Sequence, residues 1–268
     1  MSINPTLSIM QKTAIKAGKS LLRDFSEVNQ LQVSKKGPAD FVSISDKRSE
    51  EIIKNDLMYA RPDYAFLGEE SGSNNIDSPH RFVVDPLDGT TNFLHGLPHW
   101  AIHIAYQYMG ETQLCVTYDP IKDELFYAEK GSGAYLNNQR LRVSARKKLS
   151  ESILATGIPF LGINENKHEE YLKRLSCVMA KTAGVRRFGV ASLDLAYVAS
   201  GRYEGFFEYG LNPWDIEGGI LMIREAGGFV FDEKNCTYKC EGNEQQSKWI
   251  IASNNELQDD IFQLLNSY

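Results

Sequence analysis

Cysteine is scarce in this chain: four in 268 residues, at Cys115, Cys177, Cys236 and Cys240. That is too few, and too scattered, for a disulfide framework in a chain this long. Cys236 and Cys240 are spaced like half of a zinc site, but no second Cys or His pair lies near them, so reduced thiols are expected. Positive charge is in deficit, with 29 Lys+Arg against 35 Asp+Glu and a net charge of −6. Such a chain is a poor generic binder of polyanions. No apolar run approaches the roughly 18–20 residues that span a bilayer. The stretch from Met1 to Pro5 lacks the basic region and apolar core of a secretory signal. There is no internal repeat or low-complexity tract. A soluble, cytoplasmic globular protein is the expectation left standing.

What is present fits that class. The 42% hydrophobic and 24% charged fractions supply a core and exclude bulk disorder. Asn4-Pro5 reads as a helix start, and Leu7, Met10, Ala14, Ala17, Leu21 and Phe25 recur at helical steps. Ser34 to Pro38 breaks the pattern. Phe41 to Asp46 alternates like a short strand, before a polar helix through about Ala60. A strand ends at Gly68-Glu69-Glu70, a Gly/Ser/Asn-rich loop runs to Pro79, and another strand spans Arg81 to Asp85. From His99 to Val143, β runs are punctuated by turn signals, which reads as an antiparallel meander. After about Ser152 strands and helices alternate: strand 152–157, helix Glu165 to Lys181, helix Ala191 to Ala199, strand Gly205 to Glu208, and a helix from Trp214 to Gly227-Gly228. The change of rhythm near residue 145 suggests one domain, residues 1–268, made of two half-domains packed together.

The chemistry sits in carboxylates at strand ends. Asp85-Pro86-Leu87-Asp88-Gly89-Thr90-Thr91-Asn92-Phe93 places two aspartates just after an apolar strand. Glu69-Glu70 ends the strand before it, and Trp214-Asp215 opens an apolar helix. Acids at successive strand ends converge in space. Clustered carboxylates hold protons unless a cation neutralises them. An all-oxygen donor set favours Mg²⁺, Mn²⁺ or Ca²⁺ over zinc. Such cations activate water and stabilise a leaving oxygen in phosphoryl displacement. Backbone N–H groups at Gly89-Thr90-Thr91 would cradle a phosphate. Taken singly, Asp-Pro and Asp-Gly are common turn dipeptides, Glu-Glu a surface pair and Asp215 an N-cap; taken together they read as a metal-dependent phosphatase.

Gly68-Glu69-Glu70-Ser71-Gly72, Asp85 to Phe93, Trp214-Asp215 leading into Ala226-Gly227-Gly228, and the order of Pro38-Ala39-Asp40 through Asp46 resemble the inositol monophosphatase family. The resemblance implies an α+β fold, a layered αβαβα sandwich of the inositol monophosphatase and fructose-1,6-bisphosphatase type, a homodimer, Mg²⁺ dependence and sensitivity to Li⁺. It implies Glu69, Asp85, the Leu87 carbonyl, Asp88 and Asp215 as Mg²⁺ ligands, with Glu69 also counted among the catalytic residues. Thr90 matches the threonine that positions the attacking water, and Asp46 the acid paired with it. Asp88, Gly89 and Thr90 match phosphate contacts. Ala191, Glu208 and Asp215 match positions facing the rest of the substrate, and Arg186 a substrate-side arginine of bacterial-type members. Lys35, with Lys36 beside it, aligns with a lysine near the outer metal; Asn212 stands where relatives carry His or Lys.

The implied substrate is a small phosphate monoester, inositol monophosphate first. A 3′-phosphoadenosine 5′-phosphate phosphatase and a fructose-1,6-bisphosphatase-like enzyme are alternatives within the same chemistry. A transcription-machinery accessory factor is the alternative from another class, and Arg140, Arg142, Arg146, Lys147 and Lys148 are the only local hint of a nucleic-acid contact. No membrane contact is expected. His95, His99 and His103 are regularly spaced, but Pro98 interrupts any helix there, so a histidine metal site is not expected.

Overall fold

The computed structural model describes residues 4–31, 38–74, 77–159, 164–240, 242 and 247–268. In chain order the elements are α1 (Pro5–Leu31), α2 (Pro38–Ala60), β1 (Ala65–Gly68), β2 (Gly72–Ser73), β3 (His80–Asp88) and α3 (Thr90–Leu94). The meander follows as β4 (Ala101–Tyr108), β5 (Glu111–Asp119), β6 (Glu124–Glu129), β7 (Gly133–Leu136) and β8 (Gln139–Arg140). Then come β9 (Ile153–Thr156), α4 (His168–Lys181), β10 (Gly184–Arg186), α5 (Ala191–Ala199), β11 (Gly205–Tyr209) and α6 (Pro213–Glu225). The chain closes with β12 (Phe229–Phe231), β13 (Trp249–Ser253) and α7 (Gln258–Leu265).

Two sheets form. The first has eight strands in the order β2-β1-β3-β4-β5-β6-β7-β8, and the second five in the order β10-β9-β11-β13-β12. Only β1 and β3 run parallel in the first sheet; β10, β9 and β11 are parallel in the second, with β13 antiparallel to its neighbours. Both sheets alternate two apolar faces. In β4, Ile102 and Ile104 pack with Leu7, Met10 and Ile53 of α1 and α2, while Ala101 joins Leu195 and Ile220 of α5 and α6. In β13, Ile250 and Ala252 face α5 and α6, while Trp249 and Ile251 face Tyr171 of α4 and Ile261 of α7. The layers are therefore α1/α2, first sheet, α5/α6, second sheet, α4/α7. That is the α+β, αβαβα sandwich expected.

The middle helix layer is squeezed between two sheets, which explains two glycines inside α6. A Cβ on Gly218 would lie 2.6 Å from Cys115 Cβ and from His103 Nε2, and one on Gly219 2.5 Å from Leu195 Cδ1. Helix-interior glycine costs about 1 kcal/mol relative to alanine; here close packing on both sides offsets it. His103 completes that contact. Its Nε2 accepts the Gly218 N–H at 3.1 Å, so Nδ1 carries the proton and donates to Thr117 Oγ1 at 2.7 Å. Burial pushes this imidazole down to about 4, so it is a neutral core group.

One expected element is corrected. Phe41 to Asp46 belongs to α2, not to a strand. The buried face of α2 is Ser45, Asp46, Ser49, Glu50, Ile53 and Leu57. Those positions have helical spacing, but four of the six are polar, which hides the period from a hydrophobicity reading. Lys35 and Lys36 lie outside the described residues. β10, β12, β13 and α7 have no counterpart among the expected elements.

Candidate active site

The site is assembled at the end of the one parallel pair in the first sheet. Because β1 and β3 run the same way, Gly68 registers with Val84, and the Glu69 N–H donates to Val84 O at 3.1 Å. Glu69 is thereby set beside Asp85. Pro86 has no N–H to continue the ladder, and the β3–β4 register shifts between Asp85 and Asp88. Within that irregularity Asp85 Oδ1 accepts the Leu87 N–H at 2.9 Å. The Thr90 hydroxyl donates to Leu87 O at 3.0 Å, placing the hydroxyl against the carbonyl.

Asp88 ends β3, and Gly89 turns the chain into α3 at φ +96. A side chain there is both strained and blocked, since a Cβ would lie 2.8 Å from Val190 Cγ2. From the other side, the N-terminus of α5 reaches in: the Ser192 N–H donates to Asp88 Oδ2 at 2.8 Å. Asp215 stands in the first turn of α6, where its Oδ2 accepts the Asn212 N–H at 2.7 Å. Asn212 is the N-cap of that helix. Glu208 projects from β11 against Gly157, where a Cβ would fall 2.0 Å from the Glu208 carboxyl carbon and displace that carboxyl.

Electrostatically these acids crowd one another. Asp85 is raised well above the ordinary carboxylate range by burial, then by Glu69, Asp88 and Asp215. Asp215 is raised likewise by burial, then chiefly by Asp88. Glu69 moves up through desolvation and the neighbouring acids, while a hydrogen bond with Asp85 opposes the shift. Asp88 is pushed up by burial to about 6, held back by its contacts with Ser192 and Ala191. Asp46 on α2 rises to about 8 through burial and the charges of Glu70, Glu69 and Glu50. Glu208 rises to about 8 through burial, opposed by Arg187 and by the Gly157 N–H.

Among the described residues no three His, Cys, Asp or Glu side chains already converge as a formed metal-binding group. The test of fit is the donor chemistry. Glu69, Asp85, Asp88 and Asp215 offer only oxygen, and each is held toward protonation by burial, with Glu69, Asp85 and Asp215 pushed further by the other acids. A hard divalent cation is the ligand that removes both penalties at once. The set fits one, in the class of Mg²⁺, Mn²⁺ and Ca²⁺.

Four of the expected site residues sit as follows. Thr90 and Asp46 are not joined: the hydroxyl goes to Leu87 O, and Asp46 Oδ1 is buried with no hydrogen-bond partner. Arg186 turns its Nη1 onto Val185 O at 3.0 Å. Its neighbour Arg187 is the cation whose charge bears on Glu208 and Asp194. Ala191 lies at the first turn of α5, beside Asp88.

Sequence reasoning also passed over Glu50, whose carboxylate accepts the Glu70 and Ser71 N–H groups at 2.9 Å each and so anchors the turn after β1. Its position one helical turn after Asp46 is the signal, visible only once α2 is known to be helical. Asp194, buried on α5 with Oδ1 unpartnered and its acidity suppressed by burial, was passed over as well.

Elsewhere the chemistry is self-contained. Arg146, Lys147 and Lys148 pair with Glu204, Glu256 and Glu151, so much of the basic strip is internally neutralised. His99 packs on Phe188 and His103 on Gly218 and Thr117. Among the described residues no helix is long and apolar enough to cross a membrane.

A profile of the inositol monophosphatase family matches residues 3–268. The inositol-1-monophosphatase of Rhizobium meliloti is 54% identical over 233 residues, 87% of each chain. The Nus factor SuhB of Pseudomonas aeruginosa is 42% identical over 233 residues, 86% of each chain. The crystal structure of the extragenic suppressor protein suhB from Bartonella henselae superimposes with a TM-score of 0.88 at 50% identity, covering 98% of both chains.

Proposed function

The chain belongs to the inositol monophosphatase family, and from that premise we propose that it hydrolyses inositol monophosphate to inositol and phosphate with Mg²⁺ as its metal. The observation that carries the reading is the crowding of Glu69, Asp85, Asp88 and Asp215 at the ends of β1, β3 and α6, each held toward protonation. Glu69, Asp85, Asp88, Asp215 and the Leu87 carbonyl would hold the metal. A bound divalent cation supplies water activation and charge neutralisation on the phosphate and the leaving oxygen.

The protein's own groups do the rest. Thr90 Oγ1, fixed at 3.0 Å from Leu87 O, orients the attacking water, and Asp46, held toward protonation on the α2 side by burial and its acidic neighbours, is the acid paired with it. The phosphate rests on the backbone of Gly89 and Thr90 beside Asp88. Glu208 and the Ala191 backbone take the hydroxyls of the polyol, with Arg187 keeping negative charge tolerable near Glu208. The same reading includes Li⁺ inhibition, a cytoplasmic homodimer, and two half-units joined near residue 145.

Phosphate release from inositol monophosphate, 3′-phosphoadenosine 5′-phosphate and fructose-1,6-bisphosphate, with and without Mg²⁺, tests the reading. Turnover of the first that requires Mg²⁺ supports it; turnover of only one of the others reassigns the substrate. The resemblance to a Nus factor favours a second role at the transcription machinery. Capture of polymerase components by an inactive Asp88→Asn variant would support that role, and its failure would remove it.

A further inference from the structure

The turn carrying Asp88, Gly89 and Thr90 is held against the loop entering α5 by a side chain the proposed reaction does not use. Asn92, 8% exposed on α3, donates its Nδ2 amide to His99 O and to Phe188 O, each at 2.8 Å. An amide nitrogen carries two hydrogens, so both are committed to backbone carbonyls. Two neighbouring contacts cross the same gap: Gly89 abuts Val190, and Asp88 Oδ2 takes the Ser192 N–H at 2.8 Å. Between the end of β10 at Arg186 and the start of α5 at Ala191 the chain has no regular structure. That stretch includes Arg187, the cation that bears on Glu208 and Asp194, and Gly189 at φ +72.

We propose that Asn92 is a positioning residue: its two-pronged amide sets the 187–190 loop, and with it Arg187 and Ala191, at a fixed place relative to the catalytic turn. The substrate half of this inference rests on the phosphatase reading above. The physical case is one of placement. Asp88 and Thr90 stand on one side of the gap, the polyol-facing groups on the other, and a misplacement of about 1 Å between reacting and positioning groups can cost on the order of 10²-fold. The Asp88–Ser192 bond alone cannot secure the loop, because Asp88 is itself expected to be engaged by metal. Asn92 uses only backbone acceptors, so its grip does not depend on what occupies the site.

Amide hydrogen exchange and steady-state kinetics on Asn92→Ala test this. Exchange over residues 187–192 should quicken by about tenfold or more while β3 and α6 keep their protection. KM for inositol monophosphate should rise roughly 5- to 100-fold, the worth of two hydrogen bonds, while kcat for p-nitrophenyl phosphate changes little. Asn92→Gln, which keeps both N–H donors, should recover part of each effect. If Asn92→Ala does not fold, Asn92→Ser, with a smaller cavity and one donor, is read in the same way. Unchanged exchange and KM, equal losses on both substrates, or faster exchange spread over the whole chain would overturn the proposal. Should the wild-type protein not hydrolyse inositol monophosphate, the substrate reading fails, and the exchange data decide the role of Asn92 separately.

Discussion

Asp119 and Glu204 are as deeply buried as Asp85 and Asp46, at 0%, 1%, 2% and 3% exposure respectively, yet the two pairs are treated in opposite ways. Asp119 accepts the Ile121 and Lys122 N–H groups and is bridged by the Lys122 ammonium. Glu204 is bound by Arg146 at 2.8 Å and by the Ile153 N–H at 2.7 Å. Asp85 has one backbone donor and three acidic neighbours, and Asp46 leaves Oδ1 with nothing. Where an acid serves the fold, the chain supplies its counter-charge. At the proposed site the counter-charge is left to come from outside, and burial without compensation is the pattern a ligand position would show.

That contrast can be broken most forcefully by removing the outside charge. Exhaustive chelation should abolish phosphate release and Mg²⁺ should restore it; full activity without divalent cations would dismiss the distinction. Next in size is Thr90→Ala, which leaves every acid in place. It should lower kcat by about 10²–10⁴ with little change in melting temperature, and a variant within a fewfold of wild type would mean that another group orients the water.

His103 offers a titratable group of the first kind, buried and satisfied. Its pKa is lowered from 6.5 to about 4, so the native state binds fewer protons than the unfolded chain between those values. Its stabilising contribution is complete above pH 6.5 and is lost as pH falls toward 4, on the order of 3 kcal/mol in all. Urea unfolding at pH 7 and pH 4.5 should show this loss, and His103→Gln should flatten that part of the profile. An identical slope in the variant would assign the acid sensitivity elsewhere.

Glu208→Gln should reduce kcat/KM for polyol phosphates by roughly 2- to 12-fold, from about 0.5–1.5 kcal/mol for a hydrogen bond to a carboxyl that burial holds largely neutral. An aryl phosphate should suffer less, and the Mg²⁺ requirement should not move. Equal losses on both substrates would place Glu208 in the chemistry.

The finest test neutralises one acid of each kind without changing its shape. Glu204→Gln should destabilise the protein by about 1–3 kcal/mol, discounted toward the lower figure because Arg146 is half-exposed, and leave kcat alone. Asp85→Asn should abolish activity yet leave the metal-free protein as stable or more so, by up to about 2 kcal/mol. Denaturation of both variants in chelator reads the difference directly; loss of stability in both would erase it.

The sequence by itself determined whatever is local in the chain. Helical spacing from Leu7 to Phe25, turn dipeptides through the meander and the bounds of α5 are all written in short windows, and the structure has them. The Asp85 to Phe93 motif is legible for the same reason: Pro86 interrupts a ladder, Gly89 accepts a left-handed turn, and both effects act within a few bonds. Only the tertiary structure decided the rest. The α2 face reads as a helix once its polar residues Ser45, Asp46, Ser49 and Glu50 are seen to be buried. β13, the last strand in sequence, inserts between β11 and β12, which follow one another in the strand order of the chain. Arg187 rather than Arg186 bears on Glu208, because β10 pairs with β9 through Arg186 and the loop begins one residue later. Asp215 becomes part of the cluster only because Gly218 and Gly219 let α6 settle close between a sheet and α5. Propensity and turn chemistry act over a few residues, whereas the pKa of a carboxylate depends on which distant charges packing brings beside it.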